Sequence, residues 1–214
     1  GSKQLTARAS VSAASFVVGT TQEISLNQEL YYHTDNSTNS FVAGVSPAGQ
    51  VADAGTAVAF SQKDGTQDVM YAPAITVGNG SSAASSRNLT FAHKTTQLNF
   101  EIKLEKVSGG GEWNGKRVAL KSIAMKDVAV PEAVDAADGT VTWSSAATLA
   151  VPGITETVIA EATTAAGSPI MIKAGDKVVV DVAIVVGGDT KVFNNVPVMN
   201  GDSHLTTVTG KSHK

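Results

Sequence analysis

Leu98, Phe100, Ile102 and Leu104 alternate with Asn99, Glu101 and Lys103. A period of two with one polar side marks a β-strand that faces a core on one side and water on the other. Leu89, Phe91 and His93 alternate just upstream, but on odd positions. The phase therefore slips by one between Lys94 and Gln97, as a bulge or short bend would make it. A second strand is predicted from Val178 to Val186, where Val178, Val180, Val182, Ile184 and Val186 form a continuous apolar side. Gly187-Gly188 then turns the chain, and a return strand is expected from Val192 to Val198. Pro197 lies in that return, which places it at a sheet edge or a strand end. Residues 118–130 are β-rich again, with a phase change between Leu120 and Ile123. Asp138-Gly139 before Thr140-Val141-Thr142-Trp143 reads as a hairpin return.

The choice of apolar residues agrees with this reading. The 214 residues include 27 Val and 22 Thr but only 9 Leu. Branched β-carbons lose rotamer freedom in a helix and pack well on a pleated sheet. Turn dipeptides recur at Asn79-Gly80, Asn114-Gly115, Asp138-Gly139, Gly187-Gly188 and Asn200-Gly201. The expected class is all-β, an antiparallel β-sandwich. Residues 34–40, 78–86 and 108–115 read as polar or Gly/Ser-rich loops. The last of these, holding Gly109-Gly110-Gly111, divides the chain into two expected sandwich domains, 1–110 and 111–214, or else forms a long hairpin within one domain. No fixed repeat is present, which argues against a solenoid or propeller.

Composition narrows the function by exclusion. Sixteen Lys and Arg face 19 Asp and Glu, for a net charge of −3, and only Arg8, Arg87 and Arg117 carry guanidinium groups. A nucleic-acid partner would need a concentrated basic face, and no cluster supplies one. There is no run of 18 apolar residues, so no helix is expected to span a membrane. Gly1-Ser2 reads as a tag remnant. The lack of a leader or lipid-anchoring cysteine is thus no sign of a cytoplasmic home. There is no cysteine, which removes disulfide scaffolds, thiolate metal sites and cysteine nucleophiles.

The candidate chemistry is sparse. His33, His93, His204 and His213 are too far apart in sequence for a shared metal motif. His93 reads better as a structural histidine near a strand end than as a ligand or base. Asp127, Glu132, Asp135 and Asp138 are too dilute for a calcium loop. The triple glycine has no helix start behind it to cradle a phosphate. Asn36-Ser37-Thr38 and Asn88-Leu89-Thr90 match a glycosylation sequon that is frequent by chance. No catalytic residue, cofactor or metal is expected. A carboxylate pair for sugar hydrolysis remains the weakest reading, with only 5% aromatics to line a cleft. Trp113 and Trp143 read as core or hairpin residues.

Residues 60–104 are the least generic stretch. Asp64-Gly65-Thr66-Gln67-Asp68-Val69-Met70-Tyr71-Ala72 is followed, after the Gly/Ser loop, by Leu89-Thr90-Phe91-Ala92-His93-Lys94 and then by the alternating strand from Leu98. Phe41-Val42-Ala43-Gly44-Val45-Ser46-Pro47 precedes them. Asn195-Val196-Pro197-Val198 and Leu205-Thr206-Thr207-Val208-Thr209-Gly210 follow. In this order the chain resembles the fimbrillin (Mfa-like, type V pilus) family of bacterial surface proteins.

That resemblance implies two transthyretin-like or immunoglobulin-like sandwich domains and no enzymatic activity. It also implies export as a lipoprotein to the outer membrane, and a pilus or adhesion role on fimbriae. Partners would be other fimbrillin subunits or ligands on host or bacterial surfaces, with membrane attachment only through the lipid anchor. Subunits in the family join by strand exchange after a protease removes the first strand behind an Arg or Lys. On this resemblance Arg8, ahead of the first β-rich segment, is a candidate processing site or first-strand residue. The polar stretch from His204 to Thr209 is a thin anchor for a donor strand: burying Leu205 or Val208 gains about 1.5–3 kcal/mol. It is expected to close its own domain instead. The reading set against this one is a carbohydrate-binding β-sandwich module.

Overall fold

The computed structural model describes residues 7, 9–10, 19–51, 55–105, 111, 113–175 and 177–214. Among them there is no helix. In chain order the strands are β1 (Ser40–Ser46), β2 (Gln50–Val51), β3 (Ala57–Ala59), β4 (Met70–Gly78), β5 (Ala92–His93), β6 (Thr96–Leu98) and β7 (Glu101–Ile102). Then come β8 (Val118–Val128), β9 (Pro131–Asp135), β10 (Val141–Trp143), β11 (Ala147–Ala150), β12 (Thr157–Val158), β13 (Thr164–Ala165) and β14 (Ile170–Ile172). The last are β15 (Val179–Val186), β16 (Asp189–Pro197), β17 (Met199–Asn200), β18 (Ser203–His204) and β19 (Ser212–His213). The fold is all-β and of the antiparallel sandwich type, and β19 pairs parallel with β6.

The strands form two compact units. The first comprises residues 1–61, 70–92 and 133–142, and the second residues 62–69, 93–132 and 143–214. In the first, β1 pairs antiparallel with β4, and β2, β3 and the 133–135 part of β9 form a second ladder. Val58, Phe60, Tyr71, Ala72 and Val134 are its buried apolar residues.

The second unit is built on the sheet β11-β8-β15-β16, with β12 also on β8, and on the smaller sheet β14-β6-β19. Its core holds Leu98, Val118, Leu120, Ile123, Met125, Ile170, Ile172, Val180 and Ile184 among others. Each such side chain contributes about 1.5–3 kcal/mol on burial. The phase change read in residues 118–130 has a physical origin in the ladder. Ala183 pairs with Ser122 but Ile184 pairs with Leu120, so Lys121 is the extra residue of a bulge. Val118 and Leu120 point inward before it, Ile123 and Met125 after it, while Lys121 and Ser122 both face water.

The β15–β16 hairpin turns at Gly187-Gly188, and Pro197 is the last residue of β16, the outermost strand of that sheet among the described residues. The Asp138-Gly139 turn also forms. Asp135 N–H donates to the Thr140 carbonyl and Gly139 N–H to that of Asp135.

The strand expected over residues 98–104 is divided. Its alternation holds, with Leu98, Phe100, Ile102 and Leu104 on the core side. Yet β6 pairs with β14 whereas β7 pairs with β13, and the chain changes partners at Asn99-Phe100. Asn99 N–H donates to the His213 carbonyl and Ala166 N–H to that of Phe100, so the corner keeps its backbone bonds without a continuous ladder. The loop expected over 34–40 ends one residue early, because Ser40 already pairs with Gly78.

Candidate functional site

The two motifs of residues 64–72 and 89–94 meet in space. In the second unit, Asp68 and Val69 lie just before β4, and His93 ends β5. His93 Nδ1 is 2.8 Å from Asp68 Oδ2. Thr95 Oγ1 donates to Asp68 Oδ1 over 3.2 Å, and Lys94 N–H donates to the Val69 carbonyl over 2.7 Å. Val69 is fully buried between these polar ties. The carboxylate is occupied by the protein's own donors on both oxygens. Held this way, His93 ties the chain after β5 to the segment just before β4.

In the first unit the remaining motif residues are also engaged in packing. The Tyr71 ring lies against Gly139, where a Cβ would come within 2.3 Å of ring carbon Cδ1. Gly139 also holds φ at 76°, a backbone state open to glycine at little cost. Burial pushes the Tyr71 phenol up, helped by the nearby Asp138 and Asp135 charges. Leu89 and Phe91 lie over Gly44 of β1, whose missing side chain makes their seat: a Cβ there would fall 2.5 Å from Phe91 Cζ.

In the second unit, β16 carries exposed apolar side chains. Val192 is 58% exposed and Phe193 41% exposed. Successive residues of a strand face opposite sides, so the two mark both faces of this outer strand. The Trp113 ring meets Phe193 edge-on, with centroids 6.4 Å apart. A bulge shapes the strand: Val180 pairs with Val196 but Val182 with Phe193. Asn195 N–H in that bulge donates to Asp181 Oδ1 over 2.8 Å. This bond, and secondarily Lys126, holds the Asp181 carboxyl below its ordinary range.

Comparison with known proteins settles the family. The profile of the family described as fimbrillin-like matches residues 1–214. The chain belongs to the fimbrillin-like family. No curated protein matches it. Among solved structures, this fimbrillin-like chain is similar to a candidate cell adhesion protein from Bacteroides uniformis, at 13% identity and a TM-score of 0.48, covering 86% of this chain and 70% of that one.

The other residues singled out in the sequence of this fimbrillin-like protein are scattered. His33 Nδ1 accepts from Asp35 N–H, His213 Nε2 accepts from Val208 N–H, and His204 is exposed in β18. Among the described residues no three His, Asp or Glu side chains gather as a metal site. Glu132 pairs with Lys63 at 2.8 Å, and the carboxylates of Asp135 and Asp138 cap their own turn through Ala137 N–H and Thr140 N–H. Asp127 is exposed.

The loops at 34–40 and 78–86 come together in the first unit, where Asn79 Nδ2 donates to Asn39 Oδ1. This meeting carried no sequence signal beyond shared polarity. Arg8, Gly109 and Gly110 lie outside the described residues. The stretch after His204 bonds within the second unit: Leu205 N–H donates to the Val198 carbonyl and Thr207 N–H to that of Gly175.

Proposed function

We propose that this fimbrillin-like protein is a non-catalytic pilus or adhesion subunit, displayed at the cell surface as an outer-membrane lipoprotein and joined to other subunits by β-strand addition. The observation that carries this reading is the family match over residues 1–214. The arrangement of the motifs supports it. Asp68, His93, Tyr71, Leu89 and Phe91 are engaged in internal bonds and packing, which is the economy of a scaffold.

The β16 strand supports the mode of assembly. Main-chain bonds to an outer strand give affinity, and side chains on its two faces, Val192 on one and Phe193 on the other, give register. Arg8 is the processing site in this reading, the bond after it being cut before assembly.

The test is N-terminal sequencing of the protein recovered from sheared native surface material. A chain beginning at Ala9 within higher-order assemblies is expected. A chain found only in the cytosolic fraction, with the residues before Arg8 retained, would overturn the reading.

A further inference from the structure

Arg87 and Arg117 sit in opposite backbone settings. Arg117 leads into β8. Its carbonyl accepts from Gly187 N–H over 2.9 Å, the carbonyl of the following Val118 accepts from Ile159 N–H over 3.0 Å, and Val118 itself is buried and paired with Val186. The Arg117 guanidinium lies 3.8 Å from Glu156. Arg87 lies in the loop between β4 and β5. The last backbone bonds before it are those of the turn at Asn79 and Ser82 and the bond from Ala84 N–H to the Val77 carbonyl. Residues 85–88 are all exposed and belong to no strand, and among the described residues Arg87 has no ion pair or hydrogen bond.

Endoproteases bind their substrates as extended chain, so ladder-bound peptide bonds resist them and exposed loops of small polar residues yield. We propose that Arg87–Asn88 is a site of limited proteolysis in the folded protein, read by an arginine-specific endoprotease with a carboxylate in its specificity pocket. Water adds across the peptide bond, the C–N bond breaks, Arg87 keeps the carboxylate and Asn88 becomes a protonated amino terminus.

The chain path gives this cut an unusual outcome. Residues 1–87 and 88–214 each contribute to both compact units. In the first unit, β3 of the leading fragment pairs with Ala133–Asp135 of the trailing one, Tyr71 packs on Gly139, and Gly44 lies under Leu89 and Phe91. In the second unit, Gly65 and Val69 accept backbone bonds from Met171 and Lys94, Asp68 pairs with His93, and Lys63 pairs with Glu132. The nicked protein therefore stays in one piece. It gains a free terminus ahead of Leu89 and Phe91 without losing a subunit.

The experiment treats the folded full chain with an arginine-specific endoprotease, then reads new termini by sequencing and native size by gel filtration. Expected are an Asn88 terminus beside any Ala9 terminus from the bond after Arg8, an intact Arg117–Val118 bond, a native species that separates into a part ending at Arg87 and a part beginning at Asn88 only in denaturant, and loss of the Asn88 terminus in R87K. Cleavage after Arg117 ahead of Arg87, no Asn88 terminus, an Asn88 terminus that persists in R87K, or fragments that separate without denaturant would each overturn the proposal.

Discussion

His93 and Asp68, 25 residues apart in sequence, are joined by contacts of 2.8 and 3.0 Å from the imidazole Nδ1 to the two carboxylate oxygens. The pair closes the junction at which the chain leaves one motif and re-enters the other, and Thr95 adds a second donor to the same carboxylate. Both side chains are partly solvated, with relative exposures of 46% and 38%. Pairs of this kind couple weakly, so a double-mutant cycle with D68N and H93Q should give about 0.5–1 kcal/mol of coupling. Urea unfolding of the four proteins measures it. Coupling near zero would mean that the contact is incidental to the junction.

Gly44 is the seat for Phe91, so a methyl group at that position meets the end of the ring and must push it aside. G44A should destabilise the protein by about 1 kcal/mol, the low end of overpacking costs, because the displaced ring is partly exposed. Adding F91A should recover part of that loss, because the truncated ring leaves room. Additive penalties in the double variant would show that the two residues do not share the space.

The bulge at Lys121 sets which side chains reach the core. K121A removes an exposed side chain that donates from Nζ to Thr190 Oγ1 over 3.2 Å, and a change within about 0.5 kcal/mol is expected. Deleting Lys121 is a different perturbation. It removes the extra residue, so Val118, Leu120, Ile123 and Met125 fall on one unbroken period-two face and all four still reach the core. Thermal melts should show K121A near the parent and the deletion variant cooperatively folded; a deletion variant that does not fold would show that the bulge itself, and not only the phase of its flanks, is required.

Asp35 gives the clearest dependence on pH. The backbone N–H of Ser37, then the hydroxyls of Thr38 and Ser37, hold its carboxyl down at about 2, against an ordinary value of 3.8. The folded loop favours the ionised form, so this contribution is fully present above the ordinary value and is lost as pH falls through about 2. A carboxyl-detected NMR titration of the folded protein should place the Asp35 midpoint near that lower value. A midpoint at the ordinary value would show that the turn bonds do not persist in solution.

The sequence made the strand faces legible and left many of the partners hidden. Both phase slips were visible because a period-two pattern cannot pass through an extra residue unchanged. One became the Lys121 bulge and the other the break at Lys94-Thr95 between β5 and β6. The division of residues 98–104 between two sheets was invisible, since alternation reports the buried side and says nothing about which neighbour supplies the ladder. The parallel pairing of Ser212 and His213 with Gln97 and Leu98 was invisible for a related reason. That strand is held by backbone bonds and by Ser212 to Gln97 and Asn99, so it leaves no hydrophobic trace.

His93 was legible as a structural residue, but its partner Asp68 was not. The 24 intervening residues carry no pattern that fixes such a contact.

The proposed role places this chain at the cell surface, among neighbouring subunits. Immunogold electron microscopy of native cells, with antibody against the folded protein, tests that most directly. Gold particles strung along filaments or clustered on the outer surface are expected. Label confined to the cell interior would contradict the account.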